Sequence, residues 1–214
     1  MMVQRSTLPN AITVARIIMA PAVFYLMFQP GFGDRLLAFV LFVVAGVSDL
    51  VDGSLARKYG WISDFGKLVD PIADKLLLVA TFVPFYVLSH RPDAVPLPLW
   101  RTLPLWVLLV VFGREVLITI IRALAARKGT VIPAGKAGKQ KALSQNIFIG
   151  TTIFWYALQS GAREYRWGGS DWTAWQVFHG TVLVITLVLA LALTVYSLVV
   201  YLWGWRTIVK QSLA

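Results

Sequence analysis

Long apolar segments recur along the whole chain, and short polar stretches separate them. A helix of roughly 20 mostly apolar residues is long enough to cross a lipid bilayer. Hydrophobic residues make up 58% of the sequence and charged residues 14%, against about 25% charged residues in soluble domains. The pattern predicts an all-α integral membrane protein with six transmembrane helices. The predicted spans are Ala11–Gln29, Leu36–Arg57, Gly66–Leu88, Leu103–Ala126, Ala142–Leu158 and Thr173–Trp203.

The sequence contains no Cys and only two His residues, which excludes disulfides, thiolate metal sites and a Cys nucleophile. The formal net charge is +10, and the basic residues flank the apolar segments. This placement favours an anionic lipid bilayer, not nucleic acid, as the partner. We expect residues 1–214 to form a single membrane domain. Because no small-residue cleavage pattern follows the polar N-terminus closely, we expect a retained first span and not a removed signal peptide.

The basic residues also predict an orientation. Fifteen of the 20 Lys and Arg residues fall on one side of the six predicted spans. Basic residues accumulate on the cytoplasmic side of membrane proteins. We therefore expect a multi-pass protein whose termini and whose segments after the second and fourth spans lie in the cytoplasm. The expected membrane is a bacterial plasma membrane, and an organelle's inner membrane is the alternative.

Four acidic residues interrupt the apolar pattern where the second span ends and the third begins. Asp49 and Asp52 are three residues apart, and Asp70 and Asp74 are four apart, so each pair shares one face of a helix. The two spans run in opposite directions, so both pairs are expected at one depth, around a polar cavity that faces the cytoplasm. Carboxylates without Cys or His partners favour Mg²⁺ or Mn²⁺, and two such ions suit bridging carboxylates.

Two other interpretations of the acids stay open at this point. They could pair with nearby cations as solvated interfacial charges; the candidates are Arg57, Lys58, Lys67 and Lys75. They could also belong to a divalent-cation transporter, because acids inside a membrane commonly mark ion pathways. Against the transporter, no comparable acids continue a path towards the other side of the membrane.

The acids belong to a longer pattern of eight fixed residues, D-x2-D-G-x2-A-R-x8-G-x3-D-x3-D. Its members are Asp49, Asp52, Gly53, Ala56, Arg57, Gly66, Asp70 and Asp74. This pattern resembles the signature of the CDP-alcohol phosphotransferase (CDP-alcohol phosphatidyltransferase) family. The resemblance implies six transmembrane helices, two divalent cations held by the four aspartates, CDP-diacylglycerol as the donor, CMP as the released product and a homodimer.

The resemblance also implies roles for individual residues. Asp74 would be the general base, with Asp70 beside it in the catalytic group. The residues implied to line the CDP-lipid site are Gly53, Ala56, Arg57 and Gly66. No His lies in the predicted cytoplasmic region, which leaves Asp74 as the best available base.

Two further segments are similar to the branch of the family that makes phosphatidylglycerophosphate from glycerol 3-phosphate. They are LPNAITVAR at Leu8–Arg16 and the stretch from Phe112 to Asn146. The second segment departs from the branch at Ala142, where Thr is usual. The same chemistry with another acceptor, as in a cardiolipin synthase, is the alternative.

A phosphorylated acceptor needs a cationic pocket. The candidates are Arg114, Arg122, Lys136, Lys139 and Lys141. Arg114 is the strongest of them because it lies deepest in an apolar run, where an unpaired charge is costly; pairing with Glu115 or with a motif aspartate is its alternative. Thr13 and Arg16 are expected to face the lipid headgroups, with a role in nucleotide binding as the alternative.

Overall fold

The computed structural model describes residues 7–59, 64–127 and 135–211, with side chains except at 7–10, 50–68, 205 and 207–211. These ranges form six helices: α1 (Thr7–Phe28), α2 (Phe32–Tyr59), α3 (Asp64–Ser89), α4 (Leu105–Arg127), α5 (Lys136–Glu164) and α6 (Ser170–Gln211). Within them there is no strand, and the one extended pairing is a bridge between Leu97 and Arg101. The predicted all-α class is confirmed.

Five of the six helices are longer than their predicted spans. The largest difference is in α5, which begins at Lys136 and ends at Glu164, whereas its predicted span covers only Ala142–Leu158. Hydropathy marks the apolar part of a helix, but Lys and Gln are good helix formers and continue it past that part. The predicted bounds therefore locate each helix and underestimate the length of every one except α4, which has 23 residues.

Three helical segments in the described ranges are long and apolar enough to cross a bilayer: Ala11–Phe28, Val69–Ser89 and Ser170–Gly204. The other three helices carry more charged or polar residues. In α4, for example, Arg114, Glu115 and Arg122 interrupt the apolar run. A count of six spans stays a prediction.

The distribution of polarity across the bundle fits a lipid environment. Large apolar side chains such as Ile18, Leu109 and Val177 lie on the outside and are more than 60% exposed. Polar side chains such as Gln145 and Thr194 are buried, and they hydrogen-bond to each other between α5 and α6. An apolar exterior of this extent suits contact with acyl chains and not with water.

Packing brings one end of each of the helices α1 to α5 close together. α1 packs against α2 and α3, and α5 packs against α2 and α6, while α3 also contacts α4 and α5. Buried alanines, Ala38 and Ala45 on α2 and Ala73 and Ala80 on α3, leave room for close approach between helices.

A layer of aromatic rings lies in the core of the bundle, next to the end where α1 to α5 come together. We call this layer the aromatic cluster; its members are Phe82, Phe85, Phe112, Phe148 and Tyr156. Phe148 of α5 lies between the two α3 rings, with ring centroids 5.8 Å from Phe82 and 6.3 Å from Phe85. Along α3 and α5 the cluster comes after the charged residues described next.

Candidate active site

Three of the predicted acidic residues converge at one end of the bundle. Asp49 lies on α2, and Asp70 and Asp74 lie one turn apart on α3, with side chains that are 41–60% exposed. Pro71, between the two α3 acids, lies inside the helix and past its first turn. The carboxylates therefore face an open space and not the packed core.

The remaining motif positions lie where side chains are outside the described part of the structure. These positions are Asp52, Gly53, Ala56, Arg57 and Gly66. Their backbones belong to the end of α2 and the start of α3. Pairing of the acids with Arg57, Lys58 or Lys67 lies outside the described side chains in the same way.

Arg16 of α1 lies at the centre of the three carboxylates. Its Nη1 donates to Oδ1 of Asp49 and, at 3.0 Å, to Oδ1 of Asp74. Its Nη2 donates to Oδ1 of Asp70 at 3.3 Å, and Oγ1 of Thr13 donates to the same oxygen at 2.8 Å. One guanidinium thus joins α1 to both acid-bearing helices.

This position overturns one prediction. Thr13 and Arg16 were expected to face the lipid headgroups, but they are 2% and 4% exposed. A charged group within an apolar helix is far more stable beside opposite charges than in hydrocarbon, and the acids of α2 and α3 provide those charges. The signal in the sequence was an arginine inside the first apolar span, three residues after a threonine on the same helix face.

The donor chemistry of the cluster fits a divalent cation. Three carboxylates share one guanidinium, so the cluster keeps an excess of negative charge, and its oxygen donors are those that Mg²⁺ and Mn²⁺ prefer. Within the described side chains, no three His, Asp or Glu residues are spaced to surround a metal ion. Asp49 and Asp74 form ion pairs with Arg16 there.

A cavity of about 280 Å³ adjoins the cluster, and helices α1 to α5 all contribute to it. Its charged lining residues are Arg16, Asp49, Asp74, Arg114, Glu115, Arg122, Lys139 and Lys141. The fold therefore brings the acids of α2 and α3 into the same cavity as the basic residues of α4 and α5. Lys136, the first residue of α5, is exposed and is not among the residues that line the cavity.

Glu115 organises the basic part of this cavity. Its Oε1 accepts a hydrogen bond from Nη1 of Arg114 at 3.0 Å and another from Nζ of Lys141. Lys141 is buried, and Arg122 lies over the ring of Tyr201, with its Cζ 5.6 Å from the ring centroid. Of the two alternatives for Arg114, pairing with Glu115 is the one present in the structure. The contact between Glu115 and Lys141 was not predicted from the sequence. A Glu within an apolar run is costly unless a cation lies beside it, and this is the signal that could have indicated the contact.

A sequence profile of the CDP-alcohol phosphatidyltransferase family matches residues 6–208. The chain is 34% identical over 151 residues to the probable phosphatidylglycerophosphate synthase of Mycobacterium tuberculosis, covering 69% of this chain and 66% of that protein. It thus spans about two thirds of that relative's length.

Two further relatives carry different names. A CDP-diacylglycerol–glycerol-3-phosphate 3-phosphatidyltransferase of Bacillus subtilis is 34% identical over 158 residues, which cover 68% of this chain and 76% of that protein. A CMP-forming cardiolipin synthase of Streptomyces coelicolor is 34% identical over 127 residues, with 58% and 53% covered. With the profile matched over nearly the whole sequence, the chain belongs to the CDP-alcohol phosphatidyltransferase family.

Proposed function

We propose that the protein is a CDP-diacylglycerol–glycerol-3-phosphate 3-phosphatidyltransferase, which makes phosphatidylglycerophosphate and releases CMP. The observation that carries this proposal is the cavity shared by Asp49 and Asp74 on one hand and Arg114, Arg122 and Lys141 on the other. A reaction between a CDP-linked lipid and a phosphorylated alcohol needs both: acids that gather cations around a diphosphate, and cations that bind a second phosphate.

The aspartates would hold two divalent ions, Mg²⁺ or Mn²⁺. The ligands in this proposal are Asp49, Asp52, Asp70 and Asp74. When bound, the ions neutralise the negative charge of the diphosphate and stabilise the leaving CMP. The donor chemistry and the convergence of the three described carboxylates support this assignment.

The motif residues between the two acid pairs would bind the donor. Arg57 is suited to a bidentate contact with a phosphate. Gly53, Ala56 and Gly66 carry little or no side chain, so the backbone there can approach a nucleotide closely. These assignments rest on the resemblance to the family motif.

Asp74 would take the proton from the acceptor hydroxyl. Its side chain is 60% exposed and lines the cavity, so a substrate can reach it. Asp70 lies one turn before Asp74 and would be held in position by Thr13, which donates a hydrogen bond to Oδ1 of Asp70. The proton moves to the Asp74 carboxylate while the acceptor oxygen attacks the phosphorus of the lipid-linked phosphate and the bond to CMP breaks.

The basic residues of α4 and α5 would bind the phosphate of glycerol 3-phosphate. Arg114 and Lys141 are held in place by Glu115, and Arg122 by the ring of Tyr201. Fixed cations lose little side-chain entropy when a phosphate binds between them. Lys136 and Lys139 extend the basic character along α5, with Lys139 at the cavity and Lys136 beyond it.

We further propose that all six helices span a bacterial plasma membrane, that the cavity opens to the cytoplasm and that the protein works as a homodimer. The charge bias along the sequence supports the orientation, and the apolar exterior supports the membrane location. The homodimer rests on the family resemblance.

The test is release of CMP by the purified protein supplied with CDP-diacylglycerol, Mg²⁺ and glycerol 3-phosphate. Asp74→Asn should lower kcat by about 100-fold or more, because general-base catalysis contributes on that order. Asp34→Asn, which changes an exposed acid in the first turn of α2, is the matched control and should keep full activity. No CMP from the intact protein, or full activity in Asp74→Asn, would refute the proposal.

A second candidate is a cardiolipin synthase, which the similarity to the Streptomyces coelicolor protein favours. The acceptor would then be phosphatidylglycerol, whose phosphate is a diester with a single negative charge. The four cations that α4 and α5 place at the cavity favour the doubly charged monoester of glycerol 3-phosphate. Supplying both acceptors, with serine and inositol phosphate, under identical conditions would distinguish them by the lipid product.

The residues around the cavity do not favour the alternative of a cation transporter. Beyond the acids, the apolar side chains of Leu77, Leu78 and Ile149 line the cavity. Further along α3 lie Phe82 and Phe85 of the aromatic cluster. Among the described residues, this layer offers no carboxylate ligand to a cation moving towards the other side of the membrane.

A further inference from the structure

Arg16 makes a set of contacts that none of the proposed catalytic steps explains. It is 4% exposed, and its two terminal nitrogens contact Asp49, Asp70 and Asp74, while Thr13, one turn earlier on α1, adds a hydrogen bond to Asp70. A guanidinium carries its charge at any physiological pH and has five donors in a rigid fork. It therefore acts here as a permanent cation that belongs to the chain.

The same carboxylates are the ones assigned to divalent ions. Nη1 of Arg16 lies against Oδ1 of both Asp49 and Asp74, between α2 and α3. A divalent ion held by these carboxylates would repel the guanidinium and compete with it for their negative charge. Binding of a divalent ion is therefore expected to weaken the contacts between the guanidinium and these carboxylates.

We propose that Arg16 is a built-in counter-ion that competes with divalent cations for the motif aspartates. In the metal-free protein it neutralises part of their charge and ties α1 to α2 and α3. Bound ions would weaken its contacts with Asp49 and Asp74. Arg16 thus sets the cation concentration at which the site fills; this inference rests on the proposed function, since it takes the aspartates to be the metal ligands.

If Arg16 competes with divalent cations, its removal should change the metal affinity, which is not expected if the ion pair only holds the helices together. A chain that carries its own competing cation binds the external ion more weakly, by the free energy of the contacts that must be broken. Removing the guanidinium should therefore strengthen metal binding while it weakens the metal-free fold. A residue that only holds the helices together would change stability and leave the metal affinity unchanged.

The experiment is a titration of the purified full-length protein with Mn²⁺, without any lipid substrate, in which free Mn²⁺ is followed by its electron paramagnetic resonance signal. Arg16→Met should bind Mn²⁺ about tenfold more tightly than the unaltered protein, in the usual range for coupling between two ligands of one site. Its thermal unfolding temperature without metal should be lower, and saturating Mn²⁺ should raise it by more than in the unaltered protein.

The matched control is Arg35→Met, which removes a half-buried arginine that lies away from the acids. Arg35 contacts the carbonyl of Gln29 and Oγ of Ser160. This variant should lose stability but keep the Mn²⁺ affinity of the unaltered protein. The control separates the general effect of losing a buried arginine from competition at the site.

If Arg16→Met does not fold well enough to be purified, Arg16→Lys provides a second variant for the same test. A lysine retains the charge but cannot reach three carboxylates with one planar group. Its Mn²⁺ affinity should lie above that of the unaltered protein and below that of Arg16→Met.

Unchanged or weaker Mn²⁺ binding in the Arg16 variants would overturn this inference. If the unaltered protein at the same time binds Mn²⁺ and releases CMP, the proposed function survives and only the competition fails. An unaltered protein that neither binds Mn²⁺ nor releases CMP would refute both.

Discussion

At the scale of single residues, buried charges determine the geometry of the cavity. Arg16 and Lys141 are each about 5% exposed or less, and each lies against carboxylates of another helix. Removing one partner of a buried pair leaves an uncompensated charge, which is strongly destabilising, so such pairs fix how neighbouring helices meet. Arg16 connects α1 to α2 and α3, and Lys141 connects α5 to α4 through Glu115.

The two lysines at the start of α5 give a residue-scale prediction about acceptor binding. Lys141→Met removes a buried cation of the cavity and should raise the KM for glycerol 3-phosphate by about tenfold or more, the usual size for a charged hydrogen bond. Lys136→Met alters an exposed residue outside the cavity lining and should change that KM much less. Steady-state CMP release at varied acceptor concentration measures both values. Equal effects of the two changes would argue against Lys141 as a phosphate ligand.

At the scale of helices, the acid spacing and the helix positions follow from local periodicity. Spacings of three and four residues place Asp70 and Asp74 on one face in any α-helix, whatever it packs against. Local periodicity does not say how far a helix continues into polar sequence, and for that reason the predicted bounds of α5 were too short at both ends.

Close packing at the end of α5 opposite the cavity gives an element-scale prediction. A methyl group at Gly161 would lie 2.8 Å from Cη2 of Trp167 and 3.0 Å from Cδ2 of Phe32, at the start of α2. Gly161→Ala should therefore destabilise the protein by about 1–3 kcal/mol, as overpacking usually does. Thermal unfolding followed by Trp fluorescence in detergent measures the change.

The control for this substitution lies on the same helix. A methyl group at Gly150 would lie 3.6 Å from Cε1 of Phe42, which is an ordinary contact. Gly150→Ala should leave the unfolding temperature nearly unchanged. A loss of stability at Gly150 equal to that at Gly161 would mean that the clash with Trp167 and Phe32 is not the cause.

At the scale of the whole molecule, the fold combines an apolar exterior with a polar cavity at one end. The helices alternate in direction, so the first halves of α1, α3 and α5 meet the second half of α2 and the part of α4 from Arg114 onward at that end. Residues that are far apart in sequence are collected there, and the other end carries the loop from 90 to 104. Orientation in the membrane decides which compartment supplies the substrates.

Single cysteines test this orientation directly, because the sequence has no Cys of its own. The exposed residues Asp93 and Arg127 lie at opposite ends of the bundle. In intact bacterial cells, a membrane-impermeant maleimide should label Asp93→Cys and should label Arg127→Cys only after permeabilisation. The charge bias of the sequence is the physical reason. The reverse labelling pattern would invert the proposed topology.

The sequence by itself determined the class of the protein, the number and approximate positions of its helices and the shared face of each acid pair. These features depend on local hydropathy and on helical periodicity, and both are determined by residues that are close together in the sequence. Only the tertiary structure decided the partners: Arg16 meets Asp49 and Asp74, which lie 33 and 58 residues further along the chain. Which face of one helix meets which face of another depends on the packing of the whole bundle, because no local pattern encodes the distance between side chains on different helices.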